Sequence, residues 1–377
     1  MNTNYFVLDA NAFYNYMGRH ELGLSGGLDY KQERFKKLLD KSVLFLSTSV
    51  LTEILVHFRN DLDAIRKIIM FINDKIENIL ITSTTCADIG TIISIVNAKD
   101  DQERNDILHG VLINKIKIEV YVVYVFAGVV AGIIGDLLIK QKIKESCSTL
   151  NPDDYSEKAM DEIIREREKN INDAESDLLD SYNINKEYVG MKKIYDKFLI
   201  RNLEKYERQL YKLSKTINPT LQISELDFCE SLELSKKPAT MYQTIASLIS
   251  DFKKVKDYRK QIEERVFILA ASWAKFDNNQ KVYIASRLEY YLGNVKFKKN
   301  DVFDTLFLGA LKEECIIEIN KTLAKKKLQK CSKNNYHLLS FDTDVSNYIY
   351  VKDFKGALII DRIRNKRLYK DEPPKFS

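Results

Sequence analysis

The stretch that most constrains this chain is Tyr5-Phe6-Val7-Leu8-Asp9-Ala10-Asn11-Ala12. Four apolar residues in succession run straight into an aspartate, a small residue and an asparagine. An unbroken apolar run of this kind predicts a strand covered on both faces, the state of strands in a parallel sheet. Asp9 then falls at the carboxyl end of the strand, the edge at which open α/β sheets hold their ligands. Asn11 opens the helix that follows, which carries Phe13, Tyr14 and Met17.

Other carboxylates return to the same edge. Ser42–Ser47 (SVLFLS) predicts a second buried strand, and Thr48 or Ser49 caps a helix with Val50, Leu51, Ile54, Leu55 and Phe58 at helical spacing. Glu53 lies in the first or second turn of that helix. Asn300–Leu311 predicts a capped helix with Asp301 and Asp304 three residues apart, on one face. Acids in a first turn also serve simply to complement the helix dipole. Tyr336–Phe341 (YHLLSF) is again an apolar run, and it delivers Asp342-Thr343-Asp344 as the first strand delivers Asp9. Ile79–Thr82 and Ala357–Asp361 predict two more short strands. Asp106, in Asn105-Asp106-Ile107-Leu108, rivals Asp304 for the third acidic position.

Composition removes several function classes. Thirteen Gly and five Pro in 377 residues favour helices over a β-sandwich or barrel. A net charge of +5 does not by itself imply nucleic acid. Five scattered cysteines without a CxxC pair fit reduced, buried thiols in a cytoplasmic protein. Asp9 interrupts the only early apolar run, so no secretory signal is expected. Four His, none at ligand spacing, argue against a His-rich zinc or iron centre. No GxGxxG or GxxxxGK[ST] follows any strand, which removes Rossmann and P-loop readings.

Between the second and third acidic stretches the chain reads as helix. Asp61–Asn78 is amphipathic, with Ile65, Ile68, Ile69, Ile72 and Ile76 on one stripe. Residues 151–180 carry eleven acids against four bases, and residues 185–215 carry nine bases against four acids. These opposite signs are expected on the solvated faces of a helical hairpin. A single helix is expected from about Thr240 to Phe276, and a Lys-rich one over Lys321–Lys333. Val120–Gly135 has no charge in sixteen residues. At about 1.5 Å per residue it reaches only ~24 Å, short of a ~30 Å hydrocarbon core. It predicts a buried core helix, with no membrane, whose glycines let neighbouring helices approach closely.

Several carboxylates at one edge repel one another and persist as anions only beside a cation. Oxygen-only ligands select a hard divalent ion, Mg²⁺ or Mn²⁺, and such sites perform metal-assisted phosphoryl transfer. The four stretches VLDAN (Val7–Asn11), STSVLTEIL (Ser47–Leu55), NDVFDTLFLGAL (Asn300–Leu311) and LLSFDTD (Leu338–Asp344) resemble, in order, the acidic motifs of the PIN-domain nucleases. The resemblance covers residues 1–82 and 282–367. It implies an α/β fold, a parallel-sheet core flanked by helices, here interrupted by a large all-α insertion at residues 83–281. It implies a metal-dependent endoribonuclease acting on single-stranded RNA, with DNA left open, in the setting of a toxin or antiviral defence effector. By the same resemblance Asp9, Glu53, Asp304 and Asp342 are catalytic and hold the metal with Asp301 and Asp344, while Asn11 and Ser340 support them. Lys298, Lys299, Lys326 and Arg364 are the expected nucleic-acid contacts. A regulatory protein partner and a homo-oligomer are compatible with this reading. The alternative is a catalytically inactive PIN-like scaffold whose helical module binds protein or RNA.

Overall fold

The computed structural model describes residues 3–25, 36–37, 39–80, 86–147, 149–181, 187–232, 238–271, 276–277, 280–281, 283–288, 299–332, 335–340, 351–354 and 357–360. In chain order the elements are β1 (Tyr5–Leu8), α1 (Ala10–Met17), β2 (Val43–Ser47), α2 (Thr48–His57), α3 (Leu62–Lys75), β3 (Asn78–Leu80), α4 (Ile89–Asn97) and α5 (Asp101–Ser146). Then follow α6 (Pro152–Arg165), α7 (Arg167–Ser181), α8 (Glu187–Ile217), α9 (Glu225–Leu232), α10 (Pro238–Phe252) and α11 (Tyr258–Ala271). The last described elements are α12 (Lys299–Leu308), α13 (Glu313–Lys325), β4 (Tyr336–Ser340), β5 (Val351–Phe354) and β6 (Ala357–Ile360). Compactness divides it into two units, Met1–Ile118 with Phe303–Ser377, and Glu119–Val302.

The first unit is α/β. Its sheet has the order β3-β2-β1-β4-β6-β5. β3, β2, β1 and β4 run parallel, while β6 and β5 are antiparallel additions at one side. All four residues of β1 are buried, as its apolar run requires of a strand at the middle of a parallel sheet. Chain segments leave β1 toward β2 on one side, and β4 returns on the other. Strand order therefore reverses at β1 and β4, and the carboxyl ends of those two strands form the topological switch point.

The second unit is helical in its described residues. On α5, residues Val120 to Ile134 are almost wholly buried, and 83% of the most apolar window of this helix is covered by the chain itself. The glycines explain how. A Cβ on Gly135 would collide with the ring of Tyr206 on α8, and one on Gly132 would meet Met160 at 3.1 Å and the Tyr206 hydroxyl at 3.3 Å. The residue after Gly135, Asp136, pairs with Arg265 of α11, whose guanidinium also reaches Ser156 Oγ at 3.4 Å. Burial pushes the Asp136 carboxyl up to about 6, against the pull of Arg265 and Lys140.

Three expectations are corrected. Most acids of the charge blocks are solvated as expected, but one face of the basic block forms a ladder between helices. On α8, Arg201 reaches Asn170 at 3.1 Å and Asp173 at 3.4 Å, Lys205 pairs with Glu166 at 2.6 Å, and Gln209 reaches Glu162 at 3.2 Å. Lys197 bonds Asp177 one turn earlier, so the rungs repeat every four residues along one face. Lys205 is 6% exposed, which makes its rung part of the core margin. The helix expected over 240–276 is two helices, because Asp257 takes φ of 66°, a left-handed backbone that helices cannot continue through. The lysine-rich stretch is not a helix over 321–333. α13 ends at Lys325, and Lys327 at φ 58° closes it, with Lys327 N donating to Ala324 O at 3.1 Å and Leu328 N to Leu323 O at 2.9 Å. That is a Schellman termination with lysine where glycine is usual.

Candidate active site

Asp9 directly follows β1 and is the N-cap of α1. Its Oδ1 accepts from Ala12 N at 2.5 Å, and its backbone N–H continues the ladder to Leu339 O of β4 at 3.0 Å. The other carboxylate oxygen, Oδ2, accepts from the Ser340 hydroxyl at the end of β4. The two strands at the switch point are thus joined by main chain and side chain at the position where the sequence puts its first acid. Ser340 is buried at 1% exposure, while Asp9 is half-buried. Asn11, in the first turn of α1, is exposed, and its carbonyl accepts from Asn15 Nδ2 at 2.8 Å.

Glu53 arrives from the neighbouring strand. Ser47 ends β2 and caps α2 by accepting from Val50 N at 3.2 Å, so the helix starts at the carboxyl edge and Glu53 follows in its second turn. Asp9 and Glu53 act on a common group, Tyr14 of α1. Burial first, then the charges of Glu53 and Asp9, push its hydroxyl far above its ordinary value, with Arg19 pulling the other way. Tyr14 therefore stays protonated and can donate beside the two carboxylates. Tyr14 was not foreseen as a site residue. The available signal was spacing, since Tyr14 lies little more than one turn beyond the Asp9 cap.

Asp301 and Asp304 share α12 but have different surroundings. Asp301 is fully buried and paired with Arg287 Nε at 2.9 Å, with the Tyr283 hydroxyl at 3.5 Å. Asp304, 8% exposed, belongs to the first unit. α12 continues into a 3₁₀ turn, Gly309–Leu311, where Ala310 O accepts from the Tyr336 hydroxyl at the start of β4 at 2.8 Å. Asp106 is exposed on the first turns of α5 and accepts from Gln102 at 3.0 Å. Asp342, Asp344, Lys298 and Arg364 lie outside the described residues, as does the side chain of Lys299.

Lys326 is placed at the opposite edge of the sheet. It pairs with Glu77 at 2.7 Å and reaches the Glu77 carbonyl at 3.1 Å, and Glu77 immediately precedes β3, whose partner there is the amino-terminal part of β2. A strand of five residues spans about 16 Å, beyond a Debye length of about 8 Å at physiological salt. A cation there has little influence at the Asp9 edge.

Among the described residues no group of three or more His, Cys, Asp or Glu side chains is arranged to hold a metal ion. Asp9 and Glu53 supply two oxygen donors of the kind a hard divalent ion takes, and no imidazole or thiolate is among the nominated ligands. No family model, curated protein or solved structure matches the chain.

Proposed function

We propose that the chain is a metal-dependent endonuclease of PIN-like type, acting on single-stranded RNA. The observation that carries the reading is the junction of β1 and β4: an aspartate at the end of a central parallel strand, at the topological switch point, held by a hydroxyl from the adjacent strand. Glu53, sharing Tyr14 with Asp9, adds the second acid from the next strand over. The order of four acidic stretches in the sequence supplies the rest.

In this reading Asp9, Glu53, Asp304 and Asp342 hold Mg²⁺ or Mn²⁺. Bound there, the ion would polarise the phosphodiester, lower the pKa of an attacking water and steady the departing oxygen. The chain's own residues have separable roles. Ala12 N–H and Ser340 Oγ–H fix the Asp9 carboxylate in orientation from two sides. Tyr14, kept protonated, presents a donor rather than a third negative charge. Asp304 is preferred to Asp301 as the third acid because Asp301 is already neutralised by Arg287.

The test is cleavage of labelled single-stranded RNA and DNA in Mn²⁺ and Mg²⁺, with EDTA as control. Wild type should cut RNA in a metal-dependent way, and Asp9→Asn should lower the rate about 10³-fold, equivalent to about 4 kcal/mol of transition-state stabilisation. Mn²⁺ should raise the melting temperature of wild type but not of Asp9→Asn. Cutting that survives in both Asp9→Asn and Asp342→Asn would sink the site. No cutting together with no Mn²⁺ stabilisation would make the fold an inactive scaffold instead.

A further inference from the structure

α4 is apolar on both sides, yet one side faces solvent. Its nine residues carry no charge, and Ile92 and Ile95 pack inward at 4% and 2% exposure. On the other side Ile89, Ile93 and Val96 recur at i, i+4 and i+7 and are 61%, 53% and 54% exposed. Single exposed apolar residues are ordinary, but three in one stripe, on a helix that is hydrophobic all round, are the pattern of a covered helix. Acids bound the stripe. Asp88 caps α4 at its start, and Asp100, Asp101 and Glu103 are exposed just beyond its end, where they outnumber Lys99 and Arg104. Arg104 holds this corner together, pairing with Asp101 at 2.5 Å and reaching the Ile95 carbonyl at 3.5 Å.

The same chain carries the complement. α13 buries Cys315, Ile316, Ile319 and Leu323, and on its solvent side Ile317, Lys321 and Ala324 recur at the same spacing. Each stripe is about 10 Å long. Ile317 is 51% exposed, and Leu328, just past the end of the helix, is 40% exposed. The bounding charges here are positive. Lys325, Lys327 and Lys330 are exposed, whereas the acids of α13 lie in its first half. The two faces stand toward opposite ends of the sheet. The end of α13 is fixed at the amino-terminal end of β3 through Lys326 and Glu77. α4 starts on the carboxyl side, where Ala87 N–H donates to Thr52 Oγ1 of α2 at 2.7 Å.

We infer that the exposed face of α4 receives the lysine-rich end of α13 from a second copy of this chain, joining copies head to tail. Ile89, Ile93 and Val96 lie against Ile317, Ala324 and Leu328, and the lysines at the end of α13 answer the acids that follow α4. The charges orient the pair and speed encounter, while the apolar stripe supplies affinity. Two helix faces of this length bury less than the roughly 1,200 Å² of a stable complex, so the association is weak and depends on concentration. Each added copy leaves one face of each kind open, so assembly continues beyond a dimer. The contact does not depend on the nuclease reading.

The experiment is sedimentation velocity of the full chain from about 5 µM to about 500 µM, in low and in high salt. Wild type should sediment as a 43.9 kDa monomer at the lowest concentration, and its average mass should climb past the dimer at the highest. High salt should weaken the association about tenfold. Ile93→Asp and Ile317→Asp should each keep the chain monomeric, with melting temperatures unchanged because both side chains lie in solvent. An equimolar mixture of the two variants should form a dimer and stop there, since one intact α4 face and one intact α13 face remain between them. Wild type that stays monomeric at the highest concentration overturns the contact. Association lost in Ile93→Asp but kept in Ile317→Asp would mean that α4 meets α4, and association kept in both variants would put it on another surface. Either result, or a mixture that stays monomeric, overturns the head-to-tail contact.

Discussion

Asp9 at the sheet edge and Asp136 in the helical unit are both partly buried carboxylates, yet they are held in opposite ways. Asp9 accepts from a backbone N–H and from a serine hydroxyl, both neutral donors. Asp136 faces the Arg265 guanidinium in apolar surroundings, and Glu166 likewise faces Lys205. Neutral donors orient a carboxylate without cancelling its charge, whereas a guanidinium cancels it and welds two helices together. The contrast is between an acid oriented by neutral donors and acids paired with a cation across two helices. Asp301, on Arg287, belongs with the second kind.

The largest effect that would sharpen this contrast concerns packing around the helical acids. Gly135→Ala drives a methyl into the Tyr206 ring and should destabilise the protein by about 3 kcal/mol. Gly110→Ala, on the same α5 with nothing within 4 Å of the added carbon, should instead stabilise it by about 0.5–1 kcal/mol. Urea denaturation reads both. Equal effects would mean that the two parts of α5 are equally loosely packed.

A comparable effect separates Asp136 by pH. Its folded value of about 6 lies above the ordinary 3.8, because burial disfavours the charged form more than Arg265 restores it. The stability linked to this group is therefore full below the ordinary value and is lost as pH rises through about 6, a change of about 3 kcal/mol. Thermal melts between pH 4 and 7 should show this loss, and Asp136→Asn should flatten it. Glu166 runs the other way: Lys205 holds its carboxyl below the ordinary value, so its contribution fades as pH falls. A wild-type profile unchanged by Asp136→Asn would break the comparison at this residue.

The smallest effect is at the sheet edge. Ser340→Ala removes one neutral donor from Asp9 and leaves its charge in place. Mn²⁺ affinity, read from the metal-dependent melting shift, should fall about tenfold, with little change in stability without metal. A loss as complete as that of Asp9→Asn would mean that Ser340 does more than orient the carboxylate.

Much of the first unit was legible because its signals are local. The runs YFVL, VLFLS and YHLLS are continuous apolar strands, and serine or aspartate at their ends starts the next helix. The Lys205 and Arg201 rungs were half legible. Their four-residue spacing is in the sequence, but a solvated face and an interhelical ladder share that spacing. Only a partner helix distinguishes them. Asp257 and Lys327 were not legible, because neither residue type announces a left-handed backbone as glycine does.

By itself the sequence determined that apolar strands alternate with capped helices, and that an acid stands at the carboxyl end of the first of them, because strand burial and helix capping are decided within a few residues. Only the tertiary structure decided that β4 lies beside β1, that Ser340 meets Asp9, and that Asp301 belongs to Arg287. Ser340 and Asp9 are separated by 331 positions in the chain, and no local pattern specifies a partner at that distance. Strand order and helix packing bring such groups together, and their charge and burial are fixed only once that packing is complete.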